Sequence, residues 1–194
     1  MQRSVINSAY RAALACFQRH SWHLPPAPNW DITDFGLGDF WQHGLVLVNL
    51  ATEPEYCEKL MYAREGQVTP CHVHVRKKED IICRVGEIEL CVWPHRPDPD
   101  APTDQIFSVS VNGHPQSLEA GGPLVLAAGS RVTLPPGLWH EFQPLTEECI
   151  IGEVSTSNDD WLDNRFIDPR VKRFMTIEED EPAQVRLVSE GVGG

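Results

Sequence analysis

Apolar residues recur along this chain in two rhythms. Over residues 4–20, Ile6, Tyr10, Leu14 and Phe17 return every three or four positions, the spacing that gathers them on one face of an α-helix. Ser4 stands where an N-cap is expected, and Pro25, Pro26 and Pro28 forbid continuation. Residues 29–44 are polar and glycine-rich, with Trp30, Phe35, Phe40 and Trp41 among them, and read as an ordered loop with short strands. From Gly44 the rhythm becomes that of β-structure. Short candidate strands fall at 45–50, 57–62, 68–75, 80–84, 88–93, 106–111, 124–126, 130–134, 140–144 and 149–154. Turns or polar segments separate most of them, and 94–103, rich in Pro and Asp, reads as a surface loop. Many short strands at this spacing predict a mainly β sandwich or barrel behind an N-terminal α-helix. Residues 1–30 are the helix and its proline-rich connection, 31–185 the barrel domain with a polar return segment, and 186–194 a tail.

Composition narrows the partners. The chain of 194 residues suffices for one domain with a substantial core. A formal charge of −12 repels phosphates, so no nucleic-acid partner is expected. No apolar run approaches a membrane span, and no apolar leader follows Met1-Gln-Arg-Ser. Six cysteines, at 16, 57, 71, 83, 91 and 149, are scattered without a C-x-x-C pair. They read as reduced thiols of a cytoplasmic protein rather than a disulfide framework.

Two segments carry the chemistry. The first, from Gly66 to Glu79, holds His72, His74 and Glu79; the second, from Gly129 to His140, adds a third imidazole. Three nitrogens and one oxygen without sulfur suit a divalent transition ion. In a strand His72 and His74 share one face and Val73 takes the other. Five residues beyond His74, strict alternation puts Glu79 on the wrong face, so a turn or bulge in Arg76-Lys77-Lys78 is required to re-aim it. Pro135, Pro136 and Gly137 predict a turn that delivers His140 from a distant strand.

Both segments resemble the cupin motifs. Gly66, His72, His74, Glu79 and Gly86 fit the first, and Gly129, Pro135, Gly137 and His140 the second, with Pro144 where Asn often stands. The resemblance implies a double-stranded β-helix, or jelly-roll barrel, with the metal inside. Longer stretches are similar to the D-lyxose isomerase family of cupins. They are 31–40, 56–60, 69–74, 77–82, 152–155, 158–160, 163–166 and 176–181, so the similarity runs from the N-terminal helix to about residue 185.

That family implies a metal-dependent aldose–ketose isomerase interconverting D-lyxose and D-xylulose, with D-mannose and D-fructose close behind. It implies Mn²⁺ on His72, His74, Glu79 and His140, and a homodimer, for which the first helix and residues 29–41 offer a surface. Lys77 matches the family's proton-transfer lysine; by composition alone it is a solvated lysine in a basic turn. A bound cation nearby would lower its pKa. Glu153 points either into the barrel as the second acid–base group or outwards, and strand alternation leaves both open; the family match favours the pocket. Asp163, Arg165, Phe166 and Trp139 are candidate substrate contacts. For Asp163 and Arg165 a structural salt bridge is the competing role, and for the two aromatics it is core packing. Asp168 is a weaker candidate acid. Two other readings use the same ligands: a metal-dependent cupin dioxygenase and a non-catalytic sugar-binding cupin.

Overall fold

The helical rhythm at the N-terminus forms α1, Arg3–Arg19, with Ile6, Ala9, Ala13, Cys16 and Phe17 buried on one face. The computed structural model describes residues 1–98, 100, 105–156, 159, 162–172 and 175–191. Ser4 does not cap α1. Gln2 is the N-cap and makes no side-chain cap bond. The Ser4 amide and hydroxyl instead donate to the Asp180 carboxylate at 2.8 and 2.5 Å. Arg3, buried beside Ser4, pairs with Glu179 and Glu190, and the Asn7 amide donates to Glu181. The acidic run of the return segment therefore clamps the first turn of α1, where negative charge complements the helix dipole.

The strands are β1 Asn29–Thr33, β2 Leu45–Thr52, β3 Cys57–Arg64, β4 His72–His74, β5 Glu79–Val85, β6 Glu87–Trp93, β7 Ile106–Val111, β8 His114–Glu119, β9 Pro123–Ala127, β10 Arg131–Leu134, β11 Trp139–Pro144, β12 Glu148–Ser155 and β13 Asn164–Phe166. A short helix, α2 Phe40–His43, follows β1, capped by the Asp39 carboxylate. Eight strands form one sheet, β1-β2-β3-β12-β5-β10-β7-β8, and five form the other, β13-β4-β11-β6-β9. The strands in both sheets pair antiparallel. This is the mainly β, two-sheet barrel with an N-terminal helix that the pattern and the motifs predict.

The core divides in two. Leu45, Leu47, Met61, Ile81 and Cys83 of the large sheet meet Ile88, Leu90, Val92, Leu126 and Phe142 of the small one inside the barrel. On the outer face of the large sheet, Val46, Val48, Leu60, Tyr62 and Ile150 pack under α1 with Trp30, Phe40 and Leu187. Trp30, Phe35 and Phe40 are thus buried within the protomer, and of the aromatic residues in 29–41 only Trp41 is exposed.

Two strands have no counterpart in the sequence pattern. In β8 only Leu118 is buried, so no alternation marks it. The other, β13, is three residues long and is recruited by pairing with β4. The run 68–75 yields strand only at His72–His74. All six cysteines are unpaired. Among the described residues no helix is long and apolar enough to cross a membrane. Asn158 and Asp160, quoted for the resemblance, and residues 99 and 101–103 of the 94–103 loop lie outside the described residues.

Candidate metal centre and catalytic cavity

The three imidazoles converge because two strands of the small sheet are neighbours. His72 and His74 share the inner face of β4, and His140 on β11 stands directly opposite His72. Gly137, at φ +90°, forms the preceding turn, and its N–H donates to the His74 carbonyl at 2.8 Å. One ligand nitrogen from each ring lies within 4.8 Å of the others. His72 Nδ1 lies 2.8 Å from the Pro70 carbonyl and His140 Nδ1 3.1 Å from that of Leu138. A carbonyl can only accept, so each Nδ1 carries a proton, which leaves Nε2 as the nitrogen to face an ion. Burial, then the neighbouring imidazoles, holds His72 well below the usual histidine range, so it is neutral at pH 7.

Glu79 arrives from the other sheet. The turn or bulge that alternation required in Arg76-Lys77-Lys78 takes the form of a bend: β4 ends at His74, and Glu79 opens β5 across the barrel. Its Oε1 lies 3.0 Å from His140 Nε2 and 3.3 Å from His74 Nε2, yet is buried without a hydrogen-bond partner. Burial pushes the Glu79 carboxyl up, but His74 and Lys77 outweigh it and keep it ionised. That ionised oxygen is buried without a hydrogen-bond partner beside two imidazole nitrogens, a position that a cation would satisfy. The three imidazoles could hold a metal ion, and the Glu79 oxygen stands against two of them.

Beside this set runs a chain of alternating charges. Lys77 Nζ lies 2.7 Å from Glu79 Oε2 and 2.8 Å from Glu153 Oε1, and Lys59 Nζ lies 3.5 Å from that same Glu153 oxygen. All four side chains are buried. Glu153 points inward, and Ser155 Oγ donates to it at 3.1 Å. Its burial raises the carboxyl, but Lys59 and Lys77 hold it below the ordinary value. For Lys77, burial lowers the ammonium, but Glu153 and Glu79 outweigh it. The fall expected for Lys77 beside a bound cation is a separate effect, which these two carboxylates oppose.

A small, partly open cavity lies at this centre. His72, His74, Lys77, Glu79, His140 and Glu153 line it together with Phe166, whose ring centroid is 5.6 Å from that of His72. Asp163 accepts from the amides of Arg76 and Lys77 at 2.7 and 3.0 Å, fixing the bend that aims Lys77 and Glu79. Its ion partner is Arg76, at 3.5 Å, in place of the expected Arg165. Arg165 is exposed, opposite Val73 on the outer side of β4. Trp139 takes the outer face of β11, and neither Trp139 nor Arg165 lines the cavity. Asp168 pairs with Arg170, whose hydrogen bonds pull its carboxyl down to about 2. Lys59, Thr69, Asn164 and Phe35 line the cavity without having been singled out. Lys59 did leave a signal: alternation along β3 puts it on the same face as Met61 and Ala63, an unusual place for a lysine.

The profile of the D-lyxose isomerase family matches residues 27–191. A D-lyxose/D-mannose isomerase of Escherichia coli O157:H7 is 35% identical over 223 aligned residues, covering 98% of each chain. That of Serratia proteamaculans is 36% identical, covering 98% of this chain and 97% of its own. Each alignment is longer than the 194 residues here, so these relatives carry segments without a counterpart. Among solved structures, the L-ribose isomerase of Acinetobacter sp. DL28 in complex with L-ribose superposes with a TM-score of 0.68 at 17% identity, covering 92% of this chain and 98% of its own. That likeness concerns the cupin fold. From the family profile and the full-length relatives together, the chain belongs to the D-lyxose isomerase family.

Proposed function

We propose that this protein is a metal-dependent aldose–ketose isomerase that interconverts D-lyxose and D-xylulose, and D-mannose and D-fructose, with Mn²⁺ as its ion. The observation that carries the reading is the pairing of two devices in one cavity. Lys77 and Glu153 lie in contact at 2.8 Å, beside a buried Glu79 oxygen that faces two imidazoles and has no hydrogen-bond partner. The names of the relatives, D-lyxose/D-mannose isomerase, support the same substrates.

The reaction moves a proton between C2 and C1 while the carbonyl moves the other way. A divalent ion on His72, His74, His140 and Glu79 would supply positive charge to the sugar oxygens and lower the cost of the negative charge that develops as the C2 proton leaves. Glu153, kept ionised by Lys59 and Lys77, takes that proton and later returns it to C1. Lys77, kept protonated by Glu153 and Glu79, donates to the aldehyde oxygen and recovers a proton from the C2 hydroxyl as the new carbonyl forms. Both groups end as they began. Leu45, Leu47, Met61 and Phe142 keep the interior apolar, which strengthens each of these charge interactions.

The test is turnover of D-lyxose by protein stripped with a chelator and reloaded with Mn²⁺, read as D-xylulose formed. Activity should vanish on stripping and return on reloading. Metal-loaded protein that converts neither D-lyxose nor D-mannose overturns the reading, and sugar-dependent dioxygen uptake would replace it with an oxygenase.

A further inference from the structure

We propose that Phe35, braced on Phe166, determines how long a sugar the cavity accepts and discriminates against six-carbon substrates. The inference rests on the isomerase reading and adds its specificity.

The depth of the cavity sets the direction of the substrate. Glu79, Ile81 and Glu153 are buried, whereas Asn164 and Phe166 are partly open to solvent and mark the mouth, with the buried Phe35 ring behind Phe166. A sugar whose reacting carbons lie beside Glu153 and Lys77 extends its remaining carbons toward that mouth. There the Phe166 ring lies 5.6 Å from His72, and the Phe35 ring lies 6.2 Å from Phe166, tilted edge-on at 60°. Neither aromatic comes from the facing barrel strands that hold the ligands: Phe35 sits just after β1 and Phe166 ends β13.

Phe35 occupies a backbone conformation that phenylalanine seldom adopts. Its φ is +54°, in the left-handed region that favours Gly or Asn. Local hydrogen bonds hold it there. The Phe35 amide donates to Thr33 Oγ1 at 2.9 Å, the Gly36 amide to Asp34 Oδ1 at 2.9 Å, and the Lys172 amide to the Phe35 carbonyl at 2.8 Å. A turn of this shape needs no aromatic side chain. It nevertheless carries a ring that is only 5% exposed and lines the cavity. A strained backbone over-determined by its surroundings is the mark of a side chain held for use. A phenyl ring offers sugar hydroxyls no hydrogen bond, so it selects by volume, and the extra hydroxymethyl group of a hexose is what it meets.

The experiment compares kcat/KM for D-lyxose and D-mannose in Mn²⁺-loaded wild type, Phe35→Ala, Phe35→Leu and Phe166→Leu, with folding verified by circular dichroism and Tm. These sugars share their configuration at C2 and C3 and differ in chain length. The mannose-to-lyxose ratio should rise about tenfold in Phe35→Ala and by less in the two leucine variants. Loss of packing alone would lower both sugars alike and leave the ratio in place. A ratio within twofold of wild type, or a fall, in the folded variants overturns the inference while leaving the isomerase standing. Wild-type protein that turns over neither sugar removes the isomerase reading and this inference with it.

Discussion

Lys59 and Glu153 stand directly opposite each other on β3 and β12, with the ammonium 3.5 Å from the carboxylate. Both point into the cavity and both are buried. Removing Lys59 leaves Glu153 with less positive charge to hold it ionised, so its pKa rises. Lys59→Met should therefore move the rising limb of the pH–rate profile to higher pH, with bound Mn²⁺ unchanged. Lys59→Arg should reverse part of that shift. A limb that stays in place would show that Lys59 does not set the ionisation of Glu153.

Lys77 separates metal binding from turnover. It touches Glu79 through Oε2, whereas Oε1 is the oxygen that faces the imidazoles. Lys77→Ala should keep stoichiometric Mn²⁺ by electron paramagnetic resonance and lose about 10²–10⁴ in kcat. Activity within a few-fold of wild type would strike Lys77 from the mechanism.

The donor set also predicts a stability change. An ion that binds only the folded chain stabilises it by about 2.7 kcal/mol at a hundred times its Kd, which is about 5–10 °C in Tm for a chain of this size. Scanning calorimetry should show that rise on adding Mn²⁺ to stripped protein. His140→Ala should abolish most of it. An equal rise in that variant would place the ion elsewhere.

Acid should release α1 first. Hydrogen bonds from Arg3 hold the Glu179 carboxyl below its ordinary value, and those from Ser4 do the same for Asp180. Burial pushes Glu190 up, but Arg3 and the Leu187 amide outweigh it. Carboxyls depressed in the folded state stabilise it above the unfolded value, near 4.3 for Glu, and that contribution is lost as pH falls through the folded value. Amide hydrogen exchange should thus accelerate in residues 3–19 between about pH 4 and pH 2, ahead of the barrel strands. Arg3→Ala should expose the same helix already at pH 7. Simultaneous loss of helix and barrel in acid would contradict this order.

Glu141 has the opposite sign. It lies half-buried on the outer face of β11, opposite Cys91, and burial, with Glu89 nearby, raises its carboxyl. A raised carboxyl favours the folded state while protonated, and the cost appears as pH climbs past the unfolded value. Glu141→Gln should raise Tm by about 2–4 °C at pH 8 and by nothing at pH 4. A gain that does not depend on pH would point to packing instead.

Local spacing made much of this molecule legible. Helical recurrence of Ile6, Tyr10, Leu14 and Phe17 located α1 to within a residue at each end, although of these only Ile6 and Phe17 are fully buried and Ala9, Ala13 and Cys16 complete the face. The alternation His72-Val73-His74 put two imidazoles on one face because strand geometry is local. Ser4 does not cap α1, because its amide and hydroxyl donate to Asp180, which no window around α1 contains.

Strand content, the paired histidines and the set of residue types able to hold a divalent ion were thus written in the chain itself, since each depends on a few consecutive residues. Pairing across and between sheets decided the remainder. It brought His140 opposite His72, made Glu79 the first residue of a facing strand, set Lys59 against Glu153, and turned Arg165 and Trp139 outward. Those relations depend on register between strands far apart in the chain, and register is settled only when the whole barrel closes around its core.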